Sequence, residues 1–235
     1  MLERSAERIV AQLSDDDPVL DVGGWAHPFE RADWVLDAQP YETRGLYGYD
    51  RAGAAPAERF TEETWVQHDV CAREPWPFED DRFAFAVCSH TLEDLRDPVW
   101  VCGELARVAR AGYVEVPSRL EEQSLGVEHP GARWVGWSHH RWLCDVLDGA
   151  IRFVHKPHFL HVGPEYHFPP EFHAALTPEE RVEQLWWTGG FEARETLFVE
   201  TEPLREYLMA PVVARGNPAA RRGRARRALR RVARR

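Results

Sequence analysis

Nothing in the 235 residues approaches the roughly 18 consecutive apolar residues of a membrane-spanning helix. The opening Met1-Leu-Glu-Arg-Ser-Ala-Glu-Arg lacks the basic-then-apolar plan of a secretory signal. No C-x-x-C pair occurs among Cys71, Cys88, Cys102 and Cys144, which argues against a zinc knuckle and a disulfide framework. The expectation is a reduced, cytoplasmic protein. No internal repeat is found, and collagen, coiled coil and wholesale disorder are excluded by an ordinary balance of 44% apolar and 29% charged residues.

Basic residues are scarce outside one segment. The net charge is −10, yet Ala214 to Arg235 holds ten arginines and no acid. Without those ten of the 29 basic residues, the body sets 19 against 39 acids, a balance of −20. Such a body does not suit a nucleic-acid backbone, so no DNA partner is expected. The segment is read as an appendage, residues 214–235, flexible and solvated. Its weaker rival is a basic amphipathic surface for an anionic partner or membrane. The preceding residues 1–213 form one domain, with a core over 15–118 and an elaborated half over 119–213.

Leu2, Ala6, Ile9, Val10 and Leu13 recur at helical spacing. Five short apolar runs follow: Val19–Val22, Trp34–Asp37, Trp65–Val70, Phe83–Cys88 and Gly112–Val116. Several are too continuously apolar for one wet face, so they read as strands buried on both sides of a parallel sheet. Between the fourth and fifth, Asp97-Pro98 starts a helix striped by Val101, Leu105 and Val108. Strand, helix, strand predicts an α/β crossover. Trp142–Leu147, Asp148-Gly149 and Ala150–His155 predict a β-hairpin. Residues 157–176 read as an ordered loop, 177–186 as a helix and 191–199 as a last strand.

The stretch Asp69-Val-Cys-Ala-Arg-Glu-Pro-Trp-Pro-Phe, its continuation Val87-Cys-Ser-His-Thr-Leu-Glu-Asp-Leu-Arg-Asp-Pro98 and the close Val114-Glu-Val-Pro-Ser118 resemble the class I S-adenosylmethionine-dependent methyltransferases. The likeness covers roughly residues 15–118. It implies a Rossmann-like, mostly parallel sheet and S-adenosylmethionine as cofactor. By position, it implies that Asp21, Gly23 and Gly24 approach the methionine part and that Asp37 accepts the ribose hydroxyls. Asp69 and Val70 would take the adenine, and Ser89 and His90 would stand where the methyl faces the substrate.

Two departures stand out. The family's acidic-x-Gly-x-Gly-x-Gly loop leads into a full helix, whereas here only residues 23–33 separate the first two strands, too few for a full crossover helix. The chain is more similar to a subgroup with a short, Pro-containing loop. Asp94 replaces the histidine usual after Leu-Glu. Each acidic residue also has a plainer reading as a strand-end cap; it is their joint order that favours the cofactor site.

Eight of the eleven histidines lie between His129 and His173. A histidine base in an acceptor pocket is one reading, with His90, His139 and His140 as catalytic candidates; half-buried aromatics in a Trp-rich cap is the other. No metal site is expected, because His155, His158 and His161 do not share one face of an extended chain. The functional expectation is methylation of a small-molecule acceptor at oxygen or nitrogen. The alternative is a non-catalytic binding protein of the same fold with a degenerate cofactor site.

Overall fold

A computed structural model describes residues 1–45 and 58–216. The arginine-rich segment lies, from residue 217 on, outside the described residues. The chain divides into two compact units. One comprises Met1–Val116, Val146–Phe153 and Glu183–Glu195; the other comprises Pro117–Asp145, Val154–Val182 and Thr196–Arg235.

The first unit begins with α1 (Glu3–Gln12), whose Ile9 is fully buried, as the helical spacing predicts. Then come β1 (Val19–Val22), β2 (Trp34–Asp37), β3 (Trp65–Gln67) and β4 (Phe85–Ser89). Asp97 caps α2 (Pro98–Val108) by accepting the Trp100 N–H at 3.1 Å, and Val101, Leu105 and Val108 are buried. Next is β5 (Ala111–Pro117). Strands β3, β2, β1, β4 and β5 lie in that order with parallel register. This is the mostly parallel sheet that the apolar runs predict, in the Rossmann-like arrangement that the resemblance implies. All four residues of β1 are buried, as a strand covered on both faces requires. Gly112 lets β5 sit tight in the sheet: a Cβ there would stand 2.5 Å from the Ala86 carbonyl oxygen and 2.4 Å from Trp187 Cζ2. The core of this unit gathers Ile9, Val35, Trp65, Phe85, Val87 and Tyr113.

After α3 (Arg119–Glu122), the hairpin β6 (Trp142–Leu147) and β7 (Ala150–His155) forms at the predicted bounds. Asp148 and Gly149 take φ of 52° and 78°, the left-handed pair that a type I′ turn needs. The helix α4 (Pro170–Ala174) interrupts the segment read as loop. The helix expected over 177–186 does not form. A short 3₁₀ turn, Glu179–Arg181, leads into β8 (Val182–Thr188), the sixth strand of the sheet beside β5. There Leu185 and Trp187 are buried with Trp186 between them only partly so, a period of two that outweighs the helix-start signal at Thr177-Pro178. Strand β9 (Glu192–Glu195) pairs in parallel with β7 and stops four residues short of the expected end. It is followed by α5 (Thr201–Ala214), which the sequence reading missed because Pro203 and Pro211 mask its periodicity. The second unit's core joins Leu143, Val154, Leu160 and Tyr166 to Leu208 and Met209 of α5. Among the described residues, no helix is long and apolar enough to cross a membrane.

Candidate functional site

The strand order reverses at β1, whose neighbours are β2 and β4. Open α/β sheets bind ligands at such a switch point, outside the carboxyl ends of the strands. Asp21 and Gly23 stand at the end of β1, Asp37 at the end of β2, Asp69 beyond β3, and Ser89 and His90 at the end of β4. The first unit thus brings all of these sequence-predicted residues to one edge of the sheet.

No helix forms between β1 and β2; acidic side chains organise the loop instead. Asp21 Oδ2 accepts the Phe29 N–H at 2.8 Å. Asp37 accepts the Trp25 N–H through Oδ2 at 3.0 Å and the Gln39 N–H through Oδ1 at 2.8 Å. Gly23 has φ of 77°, and its N–H donates to the Leu36 carbonyl at 2.9 Å. At Gly24, a Cβ would stand 2.2 Å from Asp21 Oδ2, so the backbone can pass the carboxylate only as glycine. Burial pushes the Asp21 carboxyl up to about 7, against the Phe29 hydrogen bond and with help from the nearby Asp37 charge. Burial also raises Asp37, which its backbone donors oppose.

Asp69 is half-exposed and paired with Arg96 at 2.6 Å, and that hydrogen bond holds its carboxyl below the usual range. Val70 is buried, and its carbonyl accepts Trp76 Nε1–H at 3.1 Å. Thr91, not singled out in the sequence, donates its hydroxyl to the Gly23 carbonyl at 3.3 Å and the Ser89 carbonyl at 3.2 Å, bridging the ends of β1 and β4.

His90 adopts φ of 52°, a conformation that costs a non-glycine residue energy and is concentrated at functional sites. Its Nε2 lies 3.2 Å from Glu115 and its Nδ1 3.5 Å from Glu93. Burial works against the imidazolium, but the Glu115 hydrogen bond and the adjacent Glu93 carboxylate outweigh it and raise His90 to about 9. Glu115 is opposed by burial yet is brought down to about 2 by His90, by the Met1 ammonium 3.4 Å away and by the Tyr113 hydroxyl. At neutral pH His90 is therefore a cation, unable to accept a proton. A stability consequence follows with a definite sign. His90 is raised above its unfolded value of 6.5, so its contribution is complete below that pH and is lost as pH rises through about 9. Thermal melts of wild type should show falling stability between pH 7 and 10, and His90→Gln should flatten that slope; equal slopes would contradict the pairing.

His139 and His140 belong to the second unit. His139 is exposed, its Nδ1 3.8 Å from Glu128. His140 Nδ1 lies 2.7 Å from Glu122 Oε1. That carboxylate, 1% exposed, also accepts from Lys156 Nζ at 2.9 Å and from the Trp137 N–H at 3.3 Å. Lys156, the sole lysine in the sequence, donates to the Trp137 carbonyl at 2.7 Å as well. The other side chains of this region are equally committed. Arg119 reaches Gln123 at 2.6 Å, Asp145 at 3.3 Å and the Tyr207 carbonyl at 3.0 Å, and Gln123 donates to the carbonyls of Tyr166 and Leu208. The sequence hid these residues, because Pro117-Ser118, ahead of the polar run Arg119-Leu-Glu-Glu-Gln-Ser124, reads as a turn toward the surface. Glu115 did carry a signal, an acid inside an otherwise apolar strand.

No family model matches this sequence, and no curated protein matches it. Solved structures do. A methyltransferase candidate from Bacillus halodurans C-125 is similar at 21% identity, covering 49% of this chain and 50% of that one, with a TM-score of 0.36. The YcgJ protein of Bacillus subtilis matches at 17% identity over 50% and 52% of the two chains, TM-score 0.37. A SAM-dependent methyltransferase of Aquifex aeolicus matches at 19% identity over 48% and 64%, TM-score 0.34. The chain thus spans about half the length of the first of these.

Proposed function

We propose that the first unit binds S-adenosylmethionine along the carboxyl edge of β1, β2, β3 and β4, and that the protein methylates a small-molecule acceptor at oxygen or nitrogen. The observation that carries this reading is the reversal of strand order at β1, which gathers Asp21, Gly23, Asp37, Asp69 and Ser89 on one edge. The residues fit the cofactor. Each Asp37 oxygen accepts one backbone N–H and keeps capacity for a ribose hydroxyl. The half-exposed Asp69, with the backbone of Val70, suits an adenine amino group. When bound, S-adenosylmethionine supplies an activated methyl, and the chain's task is to align it with the acceptor. His90, a cation at neutral pH, leaves deprotonation of a hydroxyl acceptor to another group.

Calorimetric titration with S-adenosylmethionine and its demethylated product tests the reading. Wild type should bind both, and Asp37→Ala should lose at least tenfold in affinity, since a hydrogen bond to a charged group is worth about 1.5–3 kcal/mol. Failure of wild type to bind either compound would refute it. A second reading, a ligand-binding protein of the same fold without transfer, is favoured by one observation: Asp21 and Asp37 are both engaged by the backbone of the short loop they organise. Binding of both compounds without formation of demethylated product against a panel of hydroxyl and amine acceptors would support it.

A further inference from the structure

In the second unit, the loop that carries His139 and His140 is fastened to one buried carboxylate. Glu122 Oε1 accepts the Trp137 N–H at 3.3 Å and meets His140 Nδ1 at 2.7 Å, while Oε2 accepts from Lys156 at 2.9 Å. Gly136 makes this approach possible. With φ of 65° it brings the chain so close that a Cβ would stand 2.5 Å from the Glu122 carbonyl oxygen. Lys156 alone balances the Glu122 charge, so His140 is not required as a counter-ion and can be held as a neutral imidazole by its Nδ1–H. That bond assigns the His140 lone pair to Nε2. His139 has its own Nδ1 3.8 Å from Glu128, a carboxylate fixed in turn by the Ser138 N–H at 2.6 Å. The two imidazoles bring ring nitrogens within 4.8 Å of each other, and their ring centroids stand 4.6 Å apart. The His140 side chain is 7% exposed and set by its partners, whereas His139, at 58%, can turn toward it. A carboxylate that grips one ring nitrogen, so that the other is the donor, is the arrangement that orients metal-binding histidines.

We propose that His139 and His140 are two ligands of a site for a borderline divalent cation such as Zn²⁺ or Ni²⁺, with Glu122 and Glu128 as the carboxylates that orient them. Imidazole suits these ions, whereas Mg²⁺ and Ca²⁺ take oxygen ligands. The remaining coordination positions go to water or to an oxygen or nitrogen atom of a small molecule. The pair differs from His155, His158 and His161, whose spacing argues against a shared ion. The inference does not rest on the proposed function: both histidines and both carboxylates belong to the second unit, and S-adenosylmethionine takes no part in the site.

The test titrates Zn²⁺ into the full chain in competition with a chromophoric chelator, without S-adenosylmethionine. Wild type should bind one equivalent with micromolar affinity. His139→Ala removes an exposed side chain and leaves the Glu122 network whole. It should weaken binding at least tenfold, since loss of even an outer-shell partner costs about 10–100-fold. His140→Ala should do the same, and His158→Ala, exposed in the same unit, should bind as wild type does. With Cu²⁺ as the probe, electron paramagnetic resonance should show splitting from two imidazole nitrogens in wild type and from one in His139→Ala. Should His140→Ala fail to fold, His139→Ala and the copper spectra still decide. The site is overturned if wild type needs millimolar Zn²⁺, if His139→Ala binds as wild type does, or if the loss falls on His158→Ala instead. Failure of S-adenosylmethionine to bind would refute the proposed function and leave this result standing.

Discussion

Glu122→Ala should melt roughly 10 °C below wild type, the largest loss expected from any single substitution in the second unit. Removing one partner of a buried ion pair typically costs about 3–5 kcal/mol, because the other charge is left without compensation. In a chain of this length each kcal/mol is worth about 2–4 °C. Lys156 would keep only the Trp137 carbonyl, and His140 and the Trp137 N–H would lose their acceptor. Burial opposes ionisation of Glu122, yet His140 and Lys156 hold its carboxyl below the usual range, so its contribution is present above the unfolded carboxylate pKa and lost as pH falls through the lower folded value. The double variant Glu122→Leu/Lys156→Met removes both charges together and should recover much of the loss. Differential scanning calorimetry of the three proteins checks this; a Glu122→Ala midpoint within 2 °C of wild type would show that the buried pair is energetically idle.

Asp21→Asn should act in the opposite direction. The Asp21 carboxyl is raised from 3.8 to about 7. A raised acid stabilises the fold fully below its unfolded pKa and loses that contribution as pH climbs toward the folded value, so the ionised form weighs against folding at pH 8. The gap corresponds to roughly 4 kcal/mol at most. Asparagine can accept the Phe29 N–H through its amide oxygen without bringing a charge. The variant should therefore be more stable than wild type at pH 8, by several degrees, with the advantage shrinking toward pH 4. The same change should weaken binding of S-adenosylmethionine if the Asp21 charge serves the ligand. Stability curves at pH 4, 6 and 8 decide the first point: a variant that is equally stable across the range shows that Asp21 is not held in a raised state.

The parallel sheet was legible because strands buried on both faces must be written as apolar runs, and Val19–Val22 and Phe85–Cys88 are such runs. The missing β1–β2 helix was legible by simple length. The hairpin was legible through Asp148-Gly149, whose backbone conformation few other pairs adopt. What could not be read was long-range. Thr177-Pro178-Glu179-Glu180 carries a helix start, but pairing of β8 beside β5 recruits Leu185 and Trp187 into a strand, a tertiary choice that local preference does not report. Prolines hid α5, whose contribution comes from Leu208 and Met209 packing into the second unit's core. At the site, the order of Asp21, Asp37, Asp69 and Ser89-His90 was visible. That Asp21 and Asp37 would serve the loop backbone, and that Glu93 and Glu115 would flank His90, depends on side-chain directions that spacing does not encode.

The burial of Lys156 determines how this protein can be marked. Twenty-eight of its 29 Lys and Arg residues are arginine, so the one ε-amine is the one held between Glu122 and the Trp137 carbonyl. Reagents and enzymes that act on lysine ε-amines, whether acylating probes, amine cross-linkers, acetylating enzymes or ubiquitin ligases, find none presented by the folded chain. Such chemistry has to wait for the second unit to open. The rate of ε-amine labelling then reports the frequency of that opening, and a substitution that loosens the Glu122 cluster should expose the protein to lysine-directed tagging in proportion.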